Sequence, residues 1–332
     1  MHNLTLRTIL FTALTLALLI LLTVLVAPAV GQQQAPSGLQ IPDDFNPLFA
    51  APGVKLYQQE IEEEEVEEEA EEAEEDDADE EEDEEEPEPV AFMQVVNLEA
   101  GASLHFVLGE QRRAGAGRGA YGGASPAFER HFLPHYWSHR PPGAVCLTNS
   151  QYFQDLVEGV RVNPSELSFP LKVDGNVLTE GYSRTELIEH KQMLEIWPHH
   201  AEISPLSYSA LYRSTAPNII AGIAPRANLR PYATVGRTFI GLVDDDGDGR
   251  KETILIYTAN LATQIEAIAT MRAFGAESVL MLDGGGSTQL LCRGEWLVTQ
   301  FRPLPQIMIA VSAPPNWPRP RLPACCRASR TP

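Results

Sequence analysis

The stretch LMLDGGGSTQL, residues 280–290, combines an acidic side chain with a run of three glycines. Asp283 follows an apolar run, and the glycines separate it from the hydroxyls of Ser287 and Thr288. Glycines tolerate positive φ and admit a ligand close to the main chain, so their amides can surround an anion beside the carboxylate. The competing interpretation is a tight turn in which Asp283 caps its own backbone. The predicted anion-binding residues are Gly284, Gly285, Gly286 and Ser287.

Two other stretches carry polar residues at the ends of apolar segments. Asn149 ends AVCLTN and is followed by Tyr152 and Phe153, whereas Arg237 directly precedes TFIGLV. Arginine binds phosphate through a planar fork of donors, and asparagine can orient a hydroxyl or a water molecule. The alternatives are a surface ion pair for Arg237 and a strand-end cap for Asn149.

Together, in this order, the three stretches resemble the phosphodiester glycosidase family, whose pattern is approximately N-G-G-x-F, R-T-A-I-G and L-D-G-G-G-S. The resemblance covers roughly residues 92–313, with FPLKVDG and FRPLPQIMIAV in corresponding places. This chain differs at Ser150 and Gln151, where the family usually has glycines. The matching positions are Asn149, Phe153, Arg237, Thr238, Gly241 and Asp283 to Ser287.

The resemblance implies a hydrolase that cuts the sugar side of a sugar-1-phosphodiester of exopolysaccharide or cell-wall type, with no required cofactor. Because the leaving phosphate is a weak base, a strong general acid is less necessary than in ordinary glycoside hydrolysis. We expect Asp283 to activate a nucleophile or stabilise an oxocarbenium-like centre, with Asn149 and Arg237 as further catalytic residues. Thr238 and Phe153 are predicted to bind substrate. The alternative is a non-catalytic surface carbohydrate-binding module with the same fold.

A second acidic stretch, DDDGDGRKET, has the spacing of a cation-binding loop. Its carboxylates fall at positions 1, 3, 5 and 9 of a D-x-D-x-D-G pattern, with Gly249 at the sharp turn. The predicted ligands are Asp244, Asp246, Asp248 and Glu252. Position 12 is Leu255, and the loop lies between two predicted strands, so it is not an EF-hand. We expect either a structural Ca²⁺ site or a solvated hairpin tip.

Histidines recur every four residues at positions 131, 135 and 139, which is the spacing of metal ligands on one face of a helix. Pro134 lies inside this run and argues against a regular helix. The sequence therefore disfavours a metal site at these histidines.

The N-terminus predicts export. Arg7 is followed by an uncharged, leucine-rich stretch over residues 9–30 that ends in the small-residue run APAVG. This pattern is typical of a secretory signal, here over residues 1–31. The apolar stretch is close to the length of a spanning helix, so an uncleaved membrane anchor is the alternative. We expect a secreted or cell-surface protein.

Charge is concentrated outside the expected globular region. The net charge is −22, yet 23 of the 46 acidic residues fall between Glu60 and Glu88. The other acidic residues nearly balance the 24 Lys and Arg, and no basic stripe indicates nucleic-acid binding. Self-repulsion predicts a disordered acidic linker over residues 32–91, and the Pro- and Arg-rich composition of residues 314–332 predicts a disordered tail. One folded domain is expected over residues 92–313.

Four cysteines suit an oxidising compartment but are too few for a disulfide scaffold. Cys146 and Cys292 each lie near a predicted functional stretch, and a disulfide between them is one candidate pairing. Sequence alone does not fix the connectivity. Cys325 and Cys326 lie in the predicted tail.

Short apolar runs bounded by Gly, Pro, Asp or Asn predict strands. These runs are AVCLTN, FPLKVDGNVL, TFIGLV, TILIYT, SVLML and QIMIAV. One helix is marked by a capping box at Thr263 and Glu266, an apolar face that includes Ile265, and Gly275 at its end. A strand, this helix and SVLML place Asp283 at the carboxyl end of a strand. The other strands lack intervening helices, which favours the α+β class, a mixed β-sheet with a few packed helices.

Overall fold

The computed structural model describes residues 38–60, 88–118, 124–157, 160–182 and 190–317. The predicted signal or anchor, most of the acidic run and most of the predicted tail lie outside these ranges. Within the described ranges, none of the helices is both long enough and apolar enough to cross a membrane.

Strands far outnumber helices among the described residues. The strands are β1 (Phe45–Ala51), β2 (Val54–Gln59), β3 (Ala91–Asn97), β4 (Ser103–Leu108), β5 (Gln111–Arg118), β6 (Ala124–Phe128), β7 (Ala144–Asn149), β8 (Leu156–Val157), β9 (Val160–Arg161), β10 (Ser165–Glu166), β11 (Leu171–Val173), β12 (Asn176–Thr179), β13 (Lys191–Ile196), β14 (Ala201–Pro205), β15 (Asn218–Ile223), β16 (Val235–Val243), β17 (Thr253–Ala262), β18 (Ser278–Met281), β19 (Leu290–Cys292), β20 (Glu295–Val298) and β21 (Gln306–Val311). The α-helices are α1 (Leu133–Ser138), α2 (Tyr208–Arg213) and α3 (Gln264–Ala273), and a 3₁₀ turn covers Gly285–Ser287.

The expected α+β class is wrong, because the fold is mostly β. Strands hold 47% of the described residues and helices 11%. The main sheet has eleven strands, with the path β1-β2-β3-β17-β16-β18-β15-β11-β12 and with β13 and β14 attached through β15. A second sheet has the order β20-β19-β7-β21-β4. Strand β13, KQMLEI, was not predicted, because its mixed polar composition has little β propensity and its pairing with β14 and β15 decides its conformation.

Part of the predicted linker is folded. Strands β1 and β2 form a hairpin, and β2 pairs with β3 at the edge of the main sheet. Val54 and Leu56 are completely buried, whereas Lys55 between them is exposed. Such alternation lets a strand contribute to the core from one face only. The prediction of disorder from residue 32 is therefore wrong for residues 45–59, and the folded region begins well before residue 92.

The main sheet is buried on both of its faces. In β17, Ile254 and Ile256 belong to a hydrophobic cluster shared with the second sheet. Their neighbours Leu255 and Tyr257 belong to another cluster that includes Met271 of α3. Successive side chains of a strand point to opposite faces, so the second sheet covers one face of the main sheet, and α2 and α3 cover the other.

Helix α3 begins as predicted but buries only part of its predicted face. The Glu266 N–H donates to Thr263 Oγ1 at 3.1 Å, and the Thr263 N–H donates to Glu266 Oε2 at 2.7 Å, which confirms the capping box. The predicted apolar face is only partly buried, because Ile265 is 50% exposed whereas Ile268 packs against the core. A further buried contact is made by Met271, whose Cε would lie 2.5 Å from a Cβ placed on Gly241. A flexible side chain against a glycine gives a closer helix-to-sheet approach than a branched one.

One strand of each sheet ends near Asp283. Strand β16 pairs antiparallel with both β17 and β18, so β17 and β18 are parallel and α3 connects them. In the second sheet, Cys146 of β7 faces Cys292 of β19 and the two form a disulfide, which confirms the candidate pairing. Strand β7 ends at Asn149, so both sheets deliver predicted site residues to one place.

Candidate active site

Asp283 lies where the two sheets meet. It follows β18, and its backbone N–H donates to the backbone oxygen of Ser150 at 3.2 Å. Asn149 Nδ2 donates to the backbone oxygen of Asp283 at 2.7 Å. Asn149 Oδ1 accepts from Thr238 Oγ1 at 2.8 Å and from the Gln289 N–H at 3.2 Å. The fully buried Asn149 and Thr238 thus support the main chain of Asp283 from behind.

The structure requires glycine for different reasons at the first two of the three positions after Asp283, and does not require it at the third. A Cβ on Gly284 would lie 2.6 Å from the backbone oxygen of Gly236, so close packing against β16 requires a glycine. Gly285 has a φ of +56°, in the left-handed region that glycine tolerates best. Gly286 has neither constraint, since a Cβ there would meet only Arg302 Cδ, at 4.0 Å. The main chain at Gly286 therefore remains open to a ligand from the solvent side.

Both interpretations of this turn find support in its hydrogen bonds. The Gly284 N–H donates to Asp283 Oδ1 at 3.0 Å, so the carboxylate does cap its own turn. The Ser287 N–H donates to the Gly284 oxygen at 3.2 Å and closes the turn. The N–H groups of Gly285 and Gly286 donate to no acceptor within the described residues. These two amides are the ones that can still bind an anion.

The environment of Asp283 raises the pKa of its carboxyl toward neutral pH. Burial raises the pKa of this carboxyl to about 6, while hydrogen bonding to Ser287, the charge of Arg302 and the Gly284 N–H act in the opposite direction. The charge of Asp155 raises the pKa further. A carboxyl with such a pKa is ionised at neutral pH and remains basic enough to accept a proton.

Arg302 is the arginine whose charge acts on this carboxylate, a role that was not predicted from the sequence. Its Nη1 donates to Ser287 Oγ at 2.9 Å, and its Nη2 pairs with Asp155 Oδ2 at 2.7 Å. Its Nε is buried and has no partner among the described residues. The only signal in the sequence was its position in FRPLPQIMIAV, shortly before the last strand.

A second guanidinium completes a charged network over Phe153. Arg130 Nη1 pairs with Asp155 Oδ1 at 2.7 Å, so Asp155 bridges Arg130 and Arg302. The two guanidinium carbons lie 5.0 and 4.8 Å from the centre of the Phe153 ring, within the range of cation–π attraction. Phe153 is thus a platform that holds two positive charges in the site. Neither Arg130 nor Asp155 carried a signal in the sequence.

Arg237 has a different role from the predicted one. Its Nε donates to the Ala262 oxygen at 3.2 Å, and its Nη1 donates to the Leu229 oxygen at 3.4 Å. Its Nη2 donates to the oxygens of Arg230 and Ala233 at 2.7 and 2.9 Å. Arginine has five N–H donors, so four of them are used on backbone carbonyls. The buried Arg237 therefore fixes the loop before β16, and it is neither a surface ion pair nor placed to grip a phosphodiester with a free fork.

Ser150 and Gln151, which differ from the family pattern, lie beside the carboxylate turn. Both are 2% exposed, and neither has a positive φ, so replacing glycine imposes no backbone strain. The Ser150 hydroxyl and both amide atoms of Gln151 have no partner among the described residues. Tyr152 follows these two residues. Burial raises the pKa of its hydroxyl, the charge of Asp283 raises the pKa further, and the charge of Arg237 lowers it.

The predicted cation loop forms the turn between β16 and β17. The carboxylate oxygens of Asp244, Asp246 and Asp248 lie within 4.8 Å of one another. Asp244 Oδ1 accepts from the Gly247 N–H at 2.7 Å, and its Oδ2 accepts from the Gly249 N–H at 2.8 Å. Three of the four predicted ligands are therefore together, in a turn built mainly from local hydrogen bonds.

Glu252, the fourth predicted ligand, is separate from this trio. It is buried, and its Oε1 accepts from the backbone N–H of Asp245. Burial raises the pKa of Glu252 to about 7, and hydrogen bonds from the main chain oppose that shift. The structure thus gives this carboxyl a capping role within the hairpin.

Comparisons with known proteins place this architecture at a distance from solved structures. No protein-family model matches the sequence, and no curated protein matches it. The catalytic domain of zebrafish N-acetylglucosamine-1-phosphodiester alpha-N-acetylglucosaminidase, auto-inhibited by its pro-peptide, is 12% identical with a TM-score of 0.46, over 68% of this chain and 78% of that one. A Burkholderia pseudomallei protein is 11% identical with a TM-score of 0.42, over 67% and 74% of the chains. A Synechocystis protein is 12% identical with a TM-score of 0.41, over 82% and 64%. These are distant structural resemblances and do not place the chain in a family.

Proposed function

We propose that the protein is an exported hydrolase that cleaves the glycosidic bond of a sugar-1-phosphodiester, with Asp283 as its reacting carboxylate. The observation that carries the proposal is the setting of Asp283. Its carboxyl lies beside Arg302 where the two sheets meet, and its pKa is about 6. Perturbed carboxyls in such settings are typical of catalytic sites. The disulfide between Cys146 and Cys292 supports export, because disulfides persist in oxidising compartments.

The proposed substrate is an anion, because the site combines a carboxylate with donors that can offset repulsion between two negative charges. Arg302 is the main donor, since Nη1 uses one N–H on Ser287 and Nη2 uses one on Asp155, which leaves one N–H on each nitrogen. Arginine suits phosphate because its planar fork can bind two oxygens at once. The unpaired N–H groups of Gly285 and Gly286 are the second set of donors. We assign phosphate binding to these groups in place of Arg237.

In the proposed reaction, the Asp283 carboxylate takes a proton from a water molecule as the water oxygen attacks the anomeric carbon. The bond between that carbon and the phosphate oxygen breaks, and the phosphomonoester leaves with the electron pair. The phosphate is a weak base, so no strong acid has to protonate it as it leaves. Asp283 then releases its proton to solvent. Asn149 and Thr238 act as positioning residues that keep the main chain of Asp283 in place, and no cofactor is needed.

The experiment compares the full chain with Asp283→Asn on a panel of methyl esters of hexose-1-phosphates and N-acetylhexosamine-1-phosphates. Release of free sugar and methyl phosphate is followed by ³¹P and ¹H NMR. Loss of the reacting carboxylate should slow release by about a hundredfold or more, and wild-type activity should rise with pH through about 6.

Asp246→Asn, in the exposed turn, is the matched control and should retain wild-type activity. Release at similar rates by wild type and Asp283→Asn would contradict the proposed role of this carboxylate. Binding of sugar phosphodiesters by both proteins without any release would instead favour a carbohydrate-binding module.

A further inference from the structure

A second cluster of chemistry-bearing side chains lies outside the Asp283 site. It consists of Glu110, which follows β4, His131, and His135 in α1, and the candidate ligand atoms all lie within 4.8 Å of one another. We infer that Glu110, His131 and His135 form a binding site for a divalent transition-metal ion of the Zn²⁺ class.

The fold brings these three side chains together, although the sequence pattern disfavoured a metal site at the histidines. Pro134 lies in the first turn of α1, where a helix has no hydrogen-bond partner for the missing N–H. Pro134 is therefore compatible with a short helix, but α1 contains only His135 of the three histidines, so the run does not form one regular helix, as expected. His135 consequently stands on a helical turn, and the His131 and His135 rings are stacked with their centres 3.9 Å apart.

The third ligand is brought in by a close contact of the main chain. A Cβ on Gly109 would lie 2.0 Å from the backbone oxygen of Glu129, so only a glycine lets this segment approach. Glu110 Oε2 consequently lies 2.7 Å from His131 Nε2. Two strand-like hydrogen bonds to Leu304 hold the main chain of His131 in place, at 3.0 and 2.8 Å.

The set of donor atoms favours one chemical class of ion. Two imidazoles and one carboxylate are the ligands that Zn²⁺ and related ions prefer, whereas Ca²⁺ and Mg²⁺ take oxygen ligands. Ligand bonds of about 2.1 Å in a tetrahedral site put ligand atoms about 3.4 Å apart, so small side-chain rotations suffice to close the cluster. Glu110 and His135 are exposed, so an ion can enter from solution, and water can fill the remaining coordination position.

The position of the cluster indicates what a bound ion would stabilise. Arg130, adjacent to His131, carries one of the two guanidinium groups over Phe153. The main-chain partner of His131 is Leu304, two residues after Arg302. An ion bound at the cluster would therefore restrain both segments that supply these arginines. This consequence rests on the proposed function, but the binding of the ion does not.

The test uses the untagged full chain after treatment with a chelator. Isothermal titration with Zn²⁺ is compared among wild type, His135→Ala and Glu110→Gln, with His200→Ala as the control. His200 stacks on Trp197 and belongs to no candidate metal cluster in the described residues. Wild type and His200→Ala should bind Zn²⁺ with the same affinity. His135→Ala and Glu110→Gln should each bind it about tenfold or more weakly, because even the loss of a group outside the ligand set lowers metal affinity by that much.

Co²⁺ offers an independent readout that does not depend on enzyme activity. Wild type loaded with Co²⁺ should show visible absorption of a nitrogen- and oxygen-bound ion, and His135→Ala should lose it. Circular dichroism of the metal-free variants checks that they are folded. We expect them to fold, because the Glu110 and His135 side chains are exposed. Equal Zn²⁺ affinity in all four proteins, or no binding by wild type, would overturn the inference.

Discussion

The turn at residues 283–287 and the turn at residues 244–252 both set aspartates among glycines after a strand of the main sheet, yet their surroundings differ. Asp244 accepts its hydrogen bonds from glycine N–H groups of its own turn, and its neighbours Asp246 and Asp248 are exposed. Asp283 is surrounded by groups from distant segments, among them Arg302 and Asn149, which is 134 residues away in sequence. Local hydrogen bonds are enough to hold the three aspartates of the 244–252 turn, whereas burial among distant segments raises the pKa of Asp283 to about 6. Burial also raises the pKa of Glu252, but this carboxyl accepts a main-chain hydrogen bond within its own hairpin.

The largest difference between the two turns should appear in the tolerance of their glycines. Gly284→Ala should lower the free energy of unfolding by about 2–3 kcal/mol, because the new Cβ meets the backbone oxygen of Gly236 and a main chain must move. Gly247 has positive φ but open space around it, so Gly247→Ala should cost only about 1 kcal/mol. Urea unfolding monitored by fluorescence measures both. Equal costs would show that the 283–287 turn is as loosely packed as the hairpin.

The matched control within the first turn is Gly286→Ala. Gly286 has no positive φ, and a Cβ would find only one atom, at 4.0 Å. This variant should keep wild-type stability while slowing release of sugar if a substrate approaches the open main chain there.

The pH dependence of stability sharpens the contrast further. Because the folded-state pKa of Asp283 is raised to about 6, the native state keeps a proton that the unfolded chain releases between about pH 4 and 6. The free energy of unfolding therefore falls as pH rises through that window and stays lower above it. Asp283→Asn should be more stable than wild type by about 1–2 kcal/mol at pH 7.5, a value reduced for the partial exposure of the side chain.

The same pair of proteins contains its own control. At pH 3 and below, the carboxyl is mostly protonated in both the folded and the unfolded state, so the difference in stability should become very small. A difference that persists at pH 3 would assign the effect of the substitution to packing and not to charge.

The last expected effect concerns the hairpin turn, where Ca²⁺ binding remains a prediction. If Asp244, Asp246 and Asp248 hold the ion, Ca²⁺ at ten times its dissociation constant should raise the free energy of unfolding by about 1.4 kcal/mol. Asp246→Asn should abolish that increase, whereas Asp283→Asn should retain it. Thermal unfolding with Ca²⁺ and with chelator tests this, and identical curves would leave the turn as a solvated hairpin tip.

The parts of the fold that could be predicted are those governed by neighbours in sequence. The capping box at Thr263 formed as expected, and the apolar runs AVCLTN and QIMIAV became β7 and β21 with the predicted bounds. The folded hairpin at residues 45–59 and strand β13 escaped prediction, because their mixed composition becomes a strand only beside a partner strand.

What the sequence by itself determined is the chemistry available at each turn: an aspartate before glycines, an acidic loop with cation spacing, and histidines four residues apart. Such features depend on contacts within a few residues, so the order of the residues is enough to specify them. Only the tertiary structure decided that the charge of Arg302 and not that of Arg237 acts on Asp283, that Glu252 leaves the acidic trio, and that Glu110 joins the histidines. Strand pairing sets which distant side chains meet, and burial then sets the free energy of their charges.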